Sequence, residues 1–154
     1  MSTIRLSGSH TLVVQKETIW PMIFNPAILV QLIPGCQELR QVSEEVYEGV
    51  IRVGFAGYSG SYSTLVRVLE IAPPDFCRFE GEIRGKTGTI KGEAAFRIED
   101  RNGYSQVTYT ATGVITGALS QISPRFIEGA VNSMIKLGLV ACEKRLRPVS
   151  PDPP

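Results

Sequence analysis

Between Glu38 and Thr116 apolar and polar residues alternate with period two in six successive segments: Glu38–Val42, Val46–Phe55, Tyr62–Ile71, Cys77–Gly85, Thr89–Glu99 and Ser105–Thr116. Such alternation marks strands with one buried and one solvated face. The links are Ser43-Glu44-Glu45, Gly57-Tyr58-Ser59-Gly60, Pro73-Pro74-Asp75, Lys86-Thr87-Gly88 and Asp100-Arg101-Asn102-Gly103. All are short and rich in turn formers. Links this short predict an antiparallel meander, since parallel neighbours need long crossovers. A meander has one face to bury, so something else in the chain must cover it.

The cover is predicted at the far end. From Leu119 to Leu146, Ile122, Phe126, Ala130, Met134, Leu137 and Ala141 recur at helical spacing, and Ile127, Val131 and Ile135 widen that face. Gln121, Arg125, Glu128, Asn132, Lys136 and Glu143 mark a polar side. An apolar stripe this broad lies against a large apolar surface. Pro124 suits the first helical turn, with Ser120 or Ser123 as N-cap.

Ahead of the meander, Ile4–Val14 reads as a further strand, giving seven in all. Lys16–Phe24 reads as a short helix with Thr18 as N-cap, which puts Pro21 in the first turn. Asn25-Pro26 is a helix start, with Asn25 as N-cap. That second helix runs over Ala27–Ile33 and ends at Pro34-Gly35. The predicted class is α+β: a strongly twisted, curved seven-stranded antiparallel sheet wrapped around a long C-terminal helix, with two short helices after the first strand. Residues 1–146 form one domain in this reading. Pro148, Pro151, Pro153 and Pro154 make 147–154 a disordered tail.

Sorted by face, the inward residues are Tyr47, Gly49, Ile51, Val53 and Phe55; then Cys77, Phe79, Gly81, Ile83 and Gly85; then Ile90, Gly92, Ala94, Phe96 and Ile98; then Val107, Tyr109, Ala111, Gly113 and Ile115. Tyr62–Ile71 is ambiguous, because Val66 and Val68 oppose Leu65, Leu69 and Ile71. The inward set holds almost no ionisable group and many small residues. Small residues there mean either sheet curvature and close helix approach, or a hole suited to an apolar ligand. Gly57 to Tyr62 is either a lip over the mouth of such a hole or a plain hairpin loop.

Chemistry-bearing patterns are sparse. His10 is the only histidine and reads as a strand residue. Gly85-Lys86-Thr87-Gly88 lacks phosphate-loop spacing and reads as a hairpin turn. Glu44-Glu45 and Glu99-Asp100 sit at solvated strand ends. A formal net charge of +1 with interspersed signs leaves no footprint for nucleic acid. Cys36, Cys77 and Cys142 have neither disulfide nor metal spacing and read as free thiols of a reducing compartment. With no secretory signal and no apolar run long enough to span a bilayer, the expected location is the cytoplasm. No cofactor and no metal is expected.

Several stretches together resemble one family. They are Gly8-Ser9-His10, Trp20, Asn25-Pro26 and Ile33-Pro34-Gly35-Cys36, then Tyr47-Glu48, Val53-Gly54, Gly60-x-Tyr62 and Lys91-Gly92-Glu93-Ala94. Ala118-Leu119-Ser120-Gln121-Ile122 and Arg125-Phe126-Ile127-Glu128-Gly129 complete the set. They are similar to the carbon monoxide dehydrogenase CoxG family of the START-like superfamily, over about residues 1 to 146. The resemblance implies a helix-grip fold with an apolar cavity between sheet and last helix. It also implies association with a molybdenum hydroxylase of carbon monoxide dehydrogenase type, through maturation, membrane recruitment or quinone delivery. Two departures are Pro21, where the family has an ordinary helix former, and the proline-rich stub in place of the long membrane-attaching extension of some members.

The expected function is non-enzymatic binding of a quinone or another lipid-like molecule, with at most peripheral contact at the inner membrane face. The expected cavity residues are Phe24, Leu29, Ile33, Ile51, Val53, Phe55, Phe79, Ile83, Ile90, Phe96, Tyr109, Phe126, Ala130, Met134 and Leu137. The alternatives are an accessory protein acting by protein contacts alone, and a cyclase or hydrolase of the same fold, for which Arg67 or His10 would have to point inward beside a tyrosine.

Overall fold

The computed structural model describes residues 1–55 and 58–146, with the side chains of Phe55 and Tyr58 outside that description. The expected tail, 147–154, residue 56 and the first residue of the expected lip, Gly57, lie outside the described residues. In chain order the elements are β1 (Ser2–Leu12), α1 (Lys16–Ile23), α2 (Pro26–Leu32), β2 (Cys36–Gln41), β3 (Val46–Phe55), β4 (Tyr58–Ala72), β5 (Phe76–Gly85), β6 (Gly88–Arg101) and β7 (Tyr104–Thr116). A short 3-10 turn, Ala118–Gln121, precedes α3 (Pro124–Leu146).

The seven strands form one antiparallel sheet in the order β1-β7-β6-β5-β4-β3-β2. Strands β2 to β7 therefore pair in sequence, as the short links require, and β1 pairs with β7 at the far edge. The sheet curves round α3, which packs along β1 and touches α1 and α2.

Two apolar clusters fill the concavity. One joins Ile4, Leu6, Ile51, Tyr62, Tyr109 and Ile115 of the sheet to Leu119, Ile122 and Ile127. The other gathers Leu12, Val14, Ile19, Met22, Ile98, Val107 and Cys142 at the end covered by α1.

Alternation in β4 is resolved by pairing. Tyr62 and Val68 are buried, while Leu65, Leu69 and Ile71 face solvent. Register puts Val66 opposite Gly81 and Tyr47, both on the inward side. A bulge between Val68 and Glu70 ends the clean alternation, which is why the sequence signal blurs there.

Two helix starts differ in outcome. Asn25 caps α2 as expected, its Oδ1 accepting the Ala27 N–H at 3.1 Å, with Pro26 in the first turn. Helix α1 instead begins at Lys16, after Gln15 rather than Thr18, and Pro21 lies inside it. The start is anchored by Lys16 Nζ, which meets Asp75 at 2.6 Å, and the helix buries Ile19 and Met22. That anchoring and burial offset the backbone hydrogen bond a proline cannot make.

Helix α3 is turned toward the Ile127 side of the expected apolar face: Ile127, Val131, Met134 and Ile135 of that face pack inward, whereas Phe126 and Leu137 are exposed. Its buried residues are Ile127 and Cys142, with Val131, Met134, Ile135 and Leu139 packed beside them. The reason is the edge of the sheet. β1 has unpaired backbone N–H groups facing α3, and Glu128 accepts that of Arg5 at 2.7 Å. Glu143 accepts that of Val13 at 2.8 Å. Two carboxylates of the polar side thus turn toward the edge strand and set which residues point inward. They also block the edge against pairing with another strand.

Candidate ligand-binding cleft

A cleft of about 280 Å³ opens between the α2–β2 turn, the end of β3 and α3. Pro34, Gly35, Arg52, Val53, Gly54, Ala130 and Met134 line it. The turn can approach β3 because position 35 is glycine. Its φ is +79°, and a Cβ there would collide with the Arg52 carbonyl oxygen. The Arg52 N–H donates to the Gly35 carbonyl at 2.8 Å, which holds the turn in place. The lining contains no carboxylate, histidine, serine or cysteine, so its chemistry is that of apolar contact with one cation at the rim.

Val53, Ala130 and Met134 of the expected cavity residues line this cleft. Ile33 packs against the neighbouring core. Ile51 and Tyr109 are core residues, and Ile83, Ile90 and Phe96 are partly buried against them. Phe79 stacks on Phe96 with ring centroids 5.8 Å apart, and Phe96 lies 5.8 Å from Tyr109, forming an aromatic row across β5, β6 and β7. Phe24 sits at the other end, against Trp20 at 5.2 Å, and its carbonyl accepts the Tyr47 hydroxyl at 3.1 Å. Leu29 is half-buried on α2. Phe126 and Leu137 are 49% and 59% exposed, on the outward side of the rotated α3. The Phe55 side chain lies outside the described residues.

Polar groups inside the concavity are few. The Tyr109 hydroxyl donates to Asn132 Oδ1 of α3, and burial raises its pKa, so the phenol stays protonated and remains a donor. The Tyr62 hydroxyl and Thr87 Oγ1 are 2.5 Å apart. His10 shares its side of β1 with Gly8 and Leu12 and is half-buried, diagonal to Tyr109 across the ladder. The Tyr109 hydroxyl is committed to Asn132 rather than to His10. Arg67 is on the outer face, paired with Glu80 at 3.7 Å. Among the described residues no group of His, Cys, Asp and Glu could hold a metal.

Pro34, Gly35, Arg52 and Gly54 line the cleft without belonging to the expected set. Their sequence signal is the Pro-Gly stop of α2, whose partner on β3 emerges only from pairing. Sequence reasoning also misses Thr64, because its strand is the ambiguous one. Thr64 faces inward with Tyr62 and Val68, and its hydroxyl is buried without a hydrogen-bond partner.

No helix among the described residues is long and apolar enough to cross a membrane. Among solved structures, a conserved protein from Geobacillus kaustophilus superposes with a TM-score of 0.87 at 24% identity, covering 92% of this chain and 94% of that one. A START superfamily protein from Mycobacterium smegmatis gives 0.68 at 13% identity, covering 92% and 96%. The di-domain ARO/CYC BexL from the BE-7585A biosynthetic pathway gives 0.66 at 12%, covering 95% of this chain and 51% of that one. These likenesses establish the fold as START-like helix-grip. No curated protein matches the chain. The model of the carbon monoxide dehydrogenase CoxG family matches residues 8–144, and the chain belongs to that family.

Proposed function

We propose that this protein is a non-enzymatic carrier of an apolar small molecule, a quinone or another lipid-like ligand, working beside a molybdenum hydroxylase of carbon monoxide dehydrogenase type. The observation that carries this reading is the cleft lined by Val53, Ala130 and Met134, free of acid–base side chains. Burying a long apolar ligand at about 25 cal/mol per Å² supports micromolar binding after association costs. The carrier works in the cytoplasm and touches the membrane only at its periphery.

The test has two arms. Solvent extracts of the purified protein are analysed by mass spectrometry, and menaquinone and ubiquinone analogues are titrated against wild type and Ala130→Phe. Saturable binding that Ala130→Phe weakens at least tenfold supports the reading. The absence of both bound lipid and saturable binding sinks it.

The exposure of Phe126 and Leu137 favours a second reading, in which α3 docks an enzyme partner and the cleft stays empty. That reading predicts capture of the hydroxylase by wild type and Ala130→Phe alike, and its loss in Leu137→Asp. An enzyme of the same fold would depend on His10, and His10→Gln would abolish its turnover.

A further inference from the structure

We propose that Thr64 is the hydrogen-bonding anchor of the ligand space, so that the bound molecule carries a carbonyl or hydroxyl oxygen at the end that reaches deepest between sheet and helix. The inference rests on the carrier reading and adds the chemistry and orientation of the ligand.

Thr64 lies in the middle of β4, flanked in register by Gly49 of β3 and Ile83 of β5. It shares the inward side with Tyr62 and Val68, which are 3% and 9% exposed. Its Oγ1 is buried and has no hydrogen-bond partner, unlike the inward hydroxyl of Ser105, which donates to the Val14 carbonyl at 2.6 Å. A buried hydroxyl left unpaired is unfavourable, and valine would give the same shape without that loss. An unpaired hydroxyl at such a position therefore points to a partner supplied from outside the chain.

At the diagonal neighbour Gly81 a Cβ would make only ordinary van der Waals contact, with the Leu65 carbonyl oxygen at 3.7 Å and Val66 Cγ2 at 4.0 Å. Thr64 as a residue is only half-buried. Along β3, Gly49 opposite Thr64 is followed on the same side by Ile51 and then Val53, which lines the cleft. Ile51 and Tyr62, 8% and 3% exposed, lie between that cleft and Thr64, and the proposed ligand head parts them to reach the hydroxyl. The proposed complex holds an oxygenated head inside with its apolar tail toward the mouth.

Two probes of the same skeleton separate this from the carrier reading: 2-methyl-1,4-naphthoquinone, with ring oxygens, and 2-methylnaphthalene, without. Both are titrated against wild type, Thr64→Val and Thr64→Ser. One hydrogen bond predicts a loss of about fivefold in quinone affinity for Thr64→Val. The same variant should bind the hydrocarbon equally well or better, and Thr64→Ser should restore the quinone preference. The melting temperature of Thr64→Val should not fall, because no protein partner is lost. An unchanged quinone-to-hydrocarbon ratio in Thr64→Val, or a clear drop in its melting temperature, overturns the assignment while leaving the carrier reading intact. Failure of wild type to bind either probe overturns the carrier reading, and the anchor with it.

Discussion

Gly8 and Tyr109 face each other across the β1–β7 ladder, and the tyrosine hydroxyl occupies the space where a side chain at position 8 would begin. The absent Cβ lets the phenol pass over the edge strand and reach Asn132 on α3. One glycine thus permits a sheet-to-helix hydrogen bond that helps seat α3 beside β1. Gly8→Ala should displace the ring and destabilise the protein by about 1–3 kcal/mol. Tyr109→Phe, which keeps the ring and loses the bond, should cost about 1 kcal/mol. Chemical denaturation of both variants checks this. Equal stability of Gly8→Ala and wild type would show that the crowding is relieved freely.

The rotation of α3 predicts an asymmetry between two apolar residues of one helix. Ile127→Ala should destabilise by about 2–4 kcal/mol, as expected for a fully buried isoleucine. Leu137→Ala should change stability by less than about 0.5 kcal/mol, since the side chain is largely exposed. Thermal melts of the two single variants decide it, and a reversed order would place the helix differently against the sheet.

Glu128 and Glu143 accept backbone N–H groups that β1 would otherwise present to water. Glu128→Ala should accelerate hydrogen exchange at the Arg5 amide and cost about 0.5–1.5 kcal/mol. Exchange at Val13 should respond to Glu143→Ala instead. Exchange measured amide by amide, with no change at either site, would remove the edge-capping role.

The cysteines give a pH prediction. Cys77 is 1% exposed, and burial pushes its thiol up to about 11 from an ordinary value of 9.0. The folded state thus binds the proton more tightly than the unfolded chain. Stability contributed by this group is fully present below pH 9.0 and declines as pH rises through about 11, by about 2–3 kcal/mol in all. Burial also raises the Cys36 and Cys142 thiols. At neutral pH a thiol reagent should therefore label half-buried Cys36 slowly and leave Cys77 and Cys142 untouched until the protein unfolds. Rapid labelling of all three in the native state would contradict their burial. Denaturation midpoints of wild type and Cys77→Ala between pH 8 and 11 isolate the stability effect.

The order of elements is legible because period-two and helical periodicities are local properties of the chain. Strand β3 spans the predicted Val46–Phe55, and the other strands differ from their expected bounds by a few residues. Asn25-Pro26 announces α2 because a cap and a first-turn proline act within four residues. The family motifs are legible for a similar reason, since each is a short run of adjacent residues.

What the tertiary structure alone decided is which of several locally equivalent choices is buried. In β4, Val66 and Leu65 have similar claims to the interior until register puts Val66 opposite Gly81 and Tyr47. In α3, a stripe centred on Phe126 or on Ile127 satisfies the same helical spacing. Two carboxylates binding the amide groups of an edge strand more than a hundred residues away select the second. The cleft depends on the same kind of distant pairing, because the Pro34-Gly35 turn becomes a wall only where Arg52 meets it. Periodicity carries a residue's phase along its own element, but inward and outward are defined by partners that the chain brings together only on folding.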